Sequence, residues 1–260
     1  MPPMTAYAPG TFCWTDLAAH DTRAAERFYT ALFGWTARHD RFGPGDDEVY
    51  VMLQKDGRDA AALYAMDPTQ KSQGIPSSWL SYVAVKSAAD AAARARGLGA
   101  AVLADAFDVM DFGRMALLSD PTGAVLAVWE AGKHIGAGVK HDPGTLTWNA
   151  LATRQTERAA SFYAGLFGWT TTASEGAEGP YTLFMDGEAQ AGGMLTITPQ
   201  MGEMPVAWTP YFAVEDTDAA ARHAEALGAT VLHPPHDLPV GRGSLLRDPQ
   251  GAMFNVIALQ

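Results

Sequence analysis

After Asp21, the residues Ala25, Phe28, Tyr29 and Leu32 stand at i, i+3, i+4 and i+7. That spacing lays apolar side chains along one face of an α-helix. Asp21 or Thr22 supplies a capping oxygen at its start, and Gly34 fits a left-handed stop at its end. Phe12–Cys13–Trp14–Thr15, just upstream, reads as a short strand. From Trp35 to about Met66 the pattern is strand-like, broken by Gly43–Pro44–Gly45–Asp46–Asp47 and again by Asp56–Gly57, a two-residue hairpin signal. Beyond a polar loop over 67–78 the plan restarts. Trp79–Val85 alternates as a strand, Ala88–Leu98 is an Ala-rich helix ending at Gly99, and strands are expected at Val102–Leu103, Gly113–Ser119 and Ala124–Glu130. This is the order βαβββ, twice.

The whole plan then returns. Residues 146–169 repeat 12–35 at a constant offset of 134, without a gap and with 11 of 24 positions identical. Trp79–Leu103 returns as Trp208–Leu232, and Gly113–Val128 as Gly241–Val256. A repeat of this length predicts two domains, 1–131 and 146–260, each long enough for its own core. Residues 132–145 have no period and four glycines and are expected to be a linker.

Composition narrows the partners. With 18 Lys+Arg against 29 Asp+Glu the net charge is −11, which speaks against nucleic acid or an anionic membrane as a partner. The single cysteine, Cys13, excludes an intrachain disulfide and suits a reducing compartment. Residues 1–10 show no signal-like apolar run, so a cytoplasmic location is the expectation. No nucleophile elbow, Walker loop or dinucleotide fingerprint occurs. His233–Pro234–Pro235–His236–Asp237 is the one histidine cluster, expected on a solvated loop. Asp108 and Asp111 are likewise expected in a loop.

A first strand, a helix ending Phe-Tyr-x-x-Leu-Phe-Gly-Trp (28–35 and 162–169), and Asp-Pro-x-Gly (120–123 and 248–251) leading into a final strand form an ordered set, present twice. In this the chain resembles the vicinal oxygen chelate superfamily, the group of glyoxalases, bleomycin resistance proteins and extradiol dioxygenases. It is most similar to its tandem two-domain glyoxalase-like and hydroxylase-type members. The resemblance implies an α+β fold. Each domain would combine two βαβββ units into a curved, cupped mixed sheet with helices on the outside.

The resemblance also implies where a metal would sit, and those positions hold other residues here. The first-strand ligand position carries Trp14 and Trp148, the second-unit position Leu80 and Thr209, and the last-strand position Ala127 and Asn255. The remaining ligand falls within 60–64 and 191–195, where no His, Asp or Glu stands. None of these offers the imidazole or carboxylate that a divalent cation requires. Glu130 lies an odd step from Ala127 and so on the opposite face. The expectation is that neither half holds the inherited metal and that no cofactor is used.

Strand alternation from those positions nominates the lining of the cups: Phe12, Trp14, Asp16, Tyr82 and Trp129 in the first half, and Trp148, Thr209, Tyr211, Met253 and Asn255 in the second. An aromatic, sparsely polar lining suits a flat, aromatic or polycyclic organic ligand held by stacking. The function expected is metal-independent binding of such a ligand, for sequestration or in secondary metabolism, by a monomer or homodimer. The alternative is a lyase, dioxygenase or cofactor-free hydroxylase or isomerase acting on it, with Asp16 as the candidate base. The halves differ at Asp16/Ala150, Leu80/Thr209 and Ala127/Asn255, so they are not expected to bind the same molecule, and one cup can be filled by its own side chains.

Overall fold

Asp21 accepts a hydrogen bond from the Ala24 amide at 2.9 Å and Gly34 sits at φ 66°, so helix α1 (Thr22–Phe33) runs between the two stops written into its sequence. The structure, a computed structural model, describes residues 3–41, 49–176 and 179–260. Ahead of the helix lies β1 (Phe12–Ala19); after it come β2 (Thr36–Arg41), β3 (Val49–Lys55), β4 (Arg58–Ala65) and a single helical turn, α2 (Pro68–Ser72). The second unit comprises β5 (Ser78–Ala84), α3 (Ala88–Gly97), β6 (Ala101–Val109), β7 (Gly113–Ser119) and β8 (Val125–Ala131). Asp56 and Gly57 both have positive φ, 51° and 73°, as the β3–β4 hairpin requires. The turn expected at Gly43–Asp47 lies outside the described residues.

The second half repeats the plan with β9 (Leu146–Thr153), α4 (Thr156–Phe167), β10 (Thr170–Gly176), β11 (Gly179–Asp186) and β12 (Ala189–Thr196). It ends with β13 (Ala207–Ala213), α5 (Thr217–Ala226), β14 (Thr230–Leu238), β15 (Gly241–Arg247) and β16 (Met253–Leu259). Each half forms its own eight-stranded mixed sheet. Their orders are β2-β3-β4-β1-β5-β8-β7-β6 and β10-β11-β12-β9-β13-β16-β15-β14. The central strands of the two βαβββ units pair antiparallel, β1 with β5 and β9 with β13, which joins two four-stranded units into one sheet.

The helical faces of the two sheets share a core. Phe28, Tyr29 and Phe33 of α1 pack with Phe212, Phe254 and Ala221 of the other half. Phe162, Tyr163 and Leu166 of α4 pack with Ala88, Ala92 and Leu118 of the first half. Burying one such side chain contributes roughly 1.5–3 kcal/mol, so the join between the halves is core rather than a loose contact. Glu130, placed on this face by strand alternation, accepts a hydrogen bond from the Ala88 amide at the start of α3.

The segment expected as a linker is irregular but packed. Ala137 N donates to Cys13 O at 2.8 Å, Gly138 N to Asp59 O at 2.7 Å, and the buried Lys140 ammonium to Phe12 O at 2.9 Å. Gly136, at φ 112°, lies so near Cys13 O that a Cβ there would collide with it. Four glycines here therefore mark close backbone approach as much as freedom. Nor are the other expected loops loops: Asp108 and His233–Asp237 lie within strands β6 and β14.

Candidate functional site

The two cups use the same frame for different ends. In each, the first-strand tryptophan donates its indole N–H to a tyrosine hydroxyl on the neighbouring hairpin: Trp14 to Tyr50 at 3.1 Å, and Trp148 to Tyr181 at 3.0 Å. Beside each tryptophan on the antiparallel strand stands a second tyrosine, Tyr82 or Tyr211. What differs lies two residues on, where the first half has Asp16 and the second Ala150.

In the first half Asp16 Oδ2 accepts from both Tyr82, at 2.8 Å, and Tyr50, at 2.9 Å. The carboxylate ties the two rings together. Trp14, Met52, Tyr82, Trp129 and Ala137 close over it as one buried cluster. Trp129 donates to His134 O at 2.9 Å, and the His134 ring meets Trp14 edge-on at 4.7 Å, so residues from beyond β8 complete the plug. Asp16 is 2% exposed, and among the described residues its Oδ1 has no hydrogen-bond partner. Burial pushes its carboxyl up to about 7, although the two tyrosine hydroxyls pull the other way. The hydroxyls of Tyr50 and Tyr82 are pushed well above their ordinary range, by burial first and by the Asp16 charge second.

In the second half the carboxylate is missing and the cup is open. A cavity of about 630 Å³ is lined by Ala150, Tyr181, Thr209, Tyr211, Met253 and Asn255 at its floor. The loop after β12 forms one wall, with Gln200, Met201, Glu203 and Met204, and is held by Arg154 donating to Gly202 O and Met204 O at 3.2 Å each. The other wall belongs to β14 and β15 and carries His233, His236 and Arg247. Tyr181 lies flat against the sheet because Gly193 beside it has no Cβ; its ring occupies that space. Burial raises the hydroxyls of Tyr181, to about 12, and Tyr211, so both stay protonated and able to donate.

The inherited metal positions do not suit a metal. Where the fold would place ligands, the first cup presents Trp14, Leu80 and Ala127, and the second Trp148, Thr209 and Asn255. The fourth positions lie on β4 and β12, where Ala62 and Tyr64, or Gly193 and Leu195, are paired beside β1 or β9. Indole, aliphatic and amide groups are poor donors for a divalent ion. Among the described residues no three His, Cys, Asp or Glu side chains converge.

Of the positions nominated by alternation, Trp14, Asp16, Tyr82 and Trp129 come together in the closed cup. Thr209, Tyr211, Met253 and Asn255 come together around the open one, with Trp148 behind Tyr181. Asp16, the candidate base, and Asn255 belong to different cups. Phe12 is a correction. It pairs with Val83 while Trp14 pairs with Tyr82, so Cys13 is a bulge residue and the alternation slips. Phe12 therefore turns to the helical face and packs against Trp208 and Trp169, with ring centroids 4.9 and 5.9 Å away. The bulge residue Cys13 joins the Trp14 cluster instead of facing the helices. The matching slip at Thr147 sends Leu146 into the core.

Alternation missed Tyr181, His233, His236 and Arg247. Tyr181 had a signal, since the Trp–Tyr pair occurs in both halves. The histidines had none, because a double bulge in β14 decides where they face.

Residues 14–129 and 148–257 each match the family model described as a glyoxalase-like domain. A protein of Mycobacterium tuberculosis named "Putative glyoxylase CFP32" is 40% identical over 259 residues, 99% of this chain and 98% of that one. "Anthracycline biosynthesis protein DnrV" of Streptomyces peucetius is 35% identical over 269 residues, 99% of this chain and 96% of that one. Among solved structures, the Mn(II)-bound glyoxalase from Novosphingobium aromaticivorans is similar with a TM-score of 0.65 at 14% identity, over 97% of this chain and 83% of that one. That last likeness is one of fold.

Proposed function

The chain belongs to the glyoxalase-like family of the vicinal oxygen chelate superfamily, and from that premise we propose that its second cup binds a flat, polycyclic aromatic molecule without the help of a metal. The observation that carries this reading is the open cavity of about 630 Å³ in the second half. It falls in the range of small-molecule sites, about 300–1,000 Å³. Its floor offers two tyrosine rings and methionine for area burial, and Thr209 and Asn255 as orienting hydrogen-bond groups. The first cup, tied shut around Asp16, serves as the scaffold on which the second is built. A relative named for anthracycline biosynthesis agrees with a polycyclic aromatic ligand.

Titration of the purified protein with a polycyclic aromatic quinone tests the reading. Tyr211→Ala and Asn255→Ala are expected to weaken binding at least tenfold, while Tyr64→Phe in the closed cup leaves it unchanged. Absence of binding, or equal loss from all three variants, rejects it. One equivalent of Fe, Ni, Zn or Mn per chain, in protein purified without chelator, rejects the metal-free part.

A further inference from the structure

We propose that the β14–β15 wall of the open cup recognises an acidic hydroxyl on its aromatic ligand, with His236 taking the proton and the cationic Arg247 on the same wall offsetting the charge of the resulting oxyanion. This inference rests on the second cup being the ligand site and adds the chemical class of what enters it: a hydroxyarene or enol rather than a neutral hydrocarbon.

The geometry begins with the double proline. Pro234 and Pro235 have no amide hydrogen to give to a ladder, and the β14–β15 pairing steps from His233↔Leu245 to His236↔Gly243 across them. The bulge brings two histidines three residues apart to the same cavity, with ring centroids 4.1 Å apart and planes at 68°. Both rings point Nδ1 at one acceptor, Pro234 O, at 3.0 Å from His233 and 2.9 Å from His236. A carbonyl oxygen can only accept, so each Nδ1 carries the hydrogen. In the neutral imidazole the lone pair then belongs to Nε2. His236 is thereby preset as a proton acceptor, and not as a donor, toward whatever lies beyond its own strand.

The charge on this wall is cationic. Arg247 lines the cavity from the end of β15, and its guanidinium has no ion-pair or hydrogen-bond partner among the described residues. Among the described residues the one carboxylate lining the cavity, Glu203, is on the opposite loop. Moving a proton from a ligand O–H to His236 Nε2 leaves an imidazolium and an aryloxide. The step is balanced without any further reactant, and the guanidinium offsets the new negative charge.

The first half supplies the internal control. Its β6 makes the same two-step slip, at Val102/Ala104 and Ala104/Phe107. At the positions of His233, His236 and Arg247 it carries Ala104, Phe107 and Ser119. The bulge is therefore common to both halves, while the imidazoles and the guanidinium occur only in the half with the open cup. A purely structural reason for the bulge does not account for that difference.

Alizarin and its 1,2-dimethoxy ether share one ring system and differ in the ionisable hydroxyls, which makes them the test pair. At a pH where free alizarin is only partly ionised, binding to the native protein is expected to move its visible band further to the aryloxide position. His236→Gln and Arg247→Gln should abolish that shift and weaken alizarin at least tenfold. Both variants should bind the dimethyl ether within twofold of the native protein, which also reports that the cup is still folded. An unmoved band in the native protein, or a shift that survives both substitutions, overturns the inference while leaving the cup as a ligand site. Binding of neither dye overturns the ligand-site reading and this inference with it.

Discussion

Tyr29 donates its hydroxyl to Asp248 Oδ2 at 2.9 Å, although the two residues lie 219 positions apart in different halves of the chain. Tyr163 repeats the arrangement in the opposite direction, reaching Asp120 Oδ2 at 2.8 Å. Each tyrosine oxygen also accepts a tryptophan N–H, from Trp79 at 3.0 Å and from Trp208 at 2.7 Å. The Phe-Tyr of one half and the Asp-Pro-x-Gly of the other are thus a single brace, made twice. The motifs that identify the repeat hold the two domains together and take no part in the cup.

Replacing Tyr29 by Phe keeps the ring and removes the oxygen. The buried Trp79 N–H then loses its acceptor and Asp248, whose carboxyl burial already raises, loses a donor. Leaving buried polar groups unpaired costs about 1–3 kcal/mol each, so Tyr29→Phe is expected to destabilise the protein by about 2–3 kcal/mol in urea unfolding. A change below about 0.5 kcal/mol would mean that the brace is decorative.

Asp16 makes stability depend on pH. Its folded carboxyl is raised from the ordinary 3.8 to about 7, with burial the cause, so the folded protein keeps a proton that the unfolded chain has released. Stability is therefore given up as pH rises from about 4 through about 7. Asp16→Asn is neutral throughout and escapes this loss. Relative to the native protein, its unfolding free energy is expected to gain about 2–3 kcal/mol between pH 5 and pH 8, because a tenfold change in proton activity weighs about 1.4 kcal/mol while one proton separates the two states. A difference that stays flat over that range would place the Asp16 pKa near an ordinary value.

Much of this was legible in the chain. The 134-residue repeat, the spacing Ala25–Phe28–Tyr29–Leu32 and the Asp56–Gly57 turn are local signals, and helix, hairpin and duplication follow from them. The floor of the open cup was legible too, because Thr209, Tyr211, Met253 and Asn255 sit on regular strand stretches where alternation holds. It failed at Phe12, where a bulge inserts a residue that composition does not announce, and His233–His236, expected on a loop, lie in a strand whose bulges set where they face. Which cup is open was not legible either. That outcome depends on Asp16 bonding Tyr50 and Tyr82 at once, a relation among three strands.

Trp14 and Trp148 are equivalent in sequence and separate in consequence. Trp14 lies at 3% exposure inside the closed cluster, so Trp14→Ala should cost about 3–5 kcal/mol of stability, as buried aromatic truncations do. At temperatures where that variant remains folded, ligand affinity should be unchanged. Trp148 is half-buried and anchors Tyr181 at the cavity floor. Trp148→Phe, which removes the indole N–H together with part of the ring surface, is expected to weaken ligand binding three- to tenfold with a smaller loss of stability than Trp14→Ala. Equal effects of the two on binding would contradict a division of labour between the cups.

The same division predicts that the open cup can be closed by one substitution. Ala150 stands where the first half has Asp16, and the hydroxyls on either side, Tyr181 and Tyr211, stand where Tyr50 and Tyr82 do. The Tyr211 hydroxyl makes no hydrogen bond to the protein among the described residues, so it can be recruited. In Ala150→Asp the new carboxyl would accept from both tyrosines and draw their rings over the cavity floor. As for Asp16, enclosing it would raise its pKa, so protonation favours the closed arrangement. Ligand affinity is expected to fall at least tenfold, equivalent to about 1.4 kcal/mol, and to fall further below pH 7 as the tie loses its charge penalty. Ala150→Ser, too short to reach both hydroxyls, should retain affinity within about twofold, near 0.4 kcal/mol. If Ala150→Asp binds as the native protein does, the carboxylate is not what closes the first cup, and the packing of Trp129 and His134 must be.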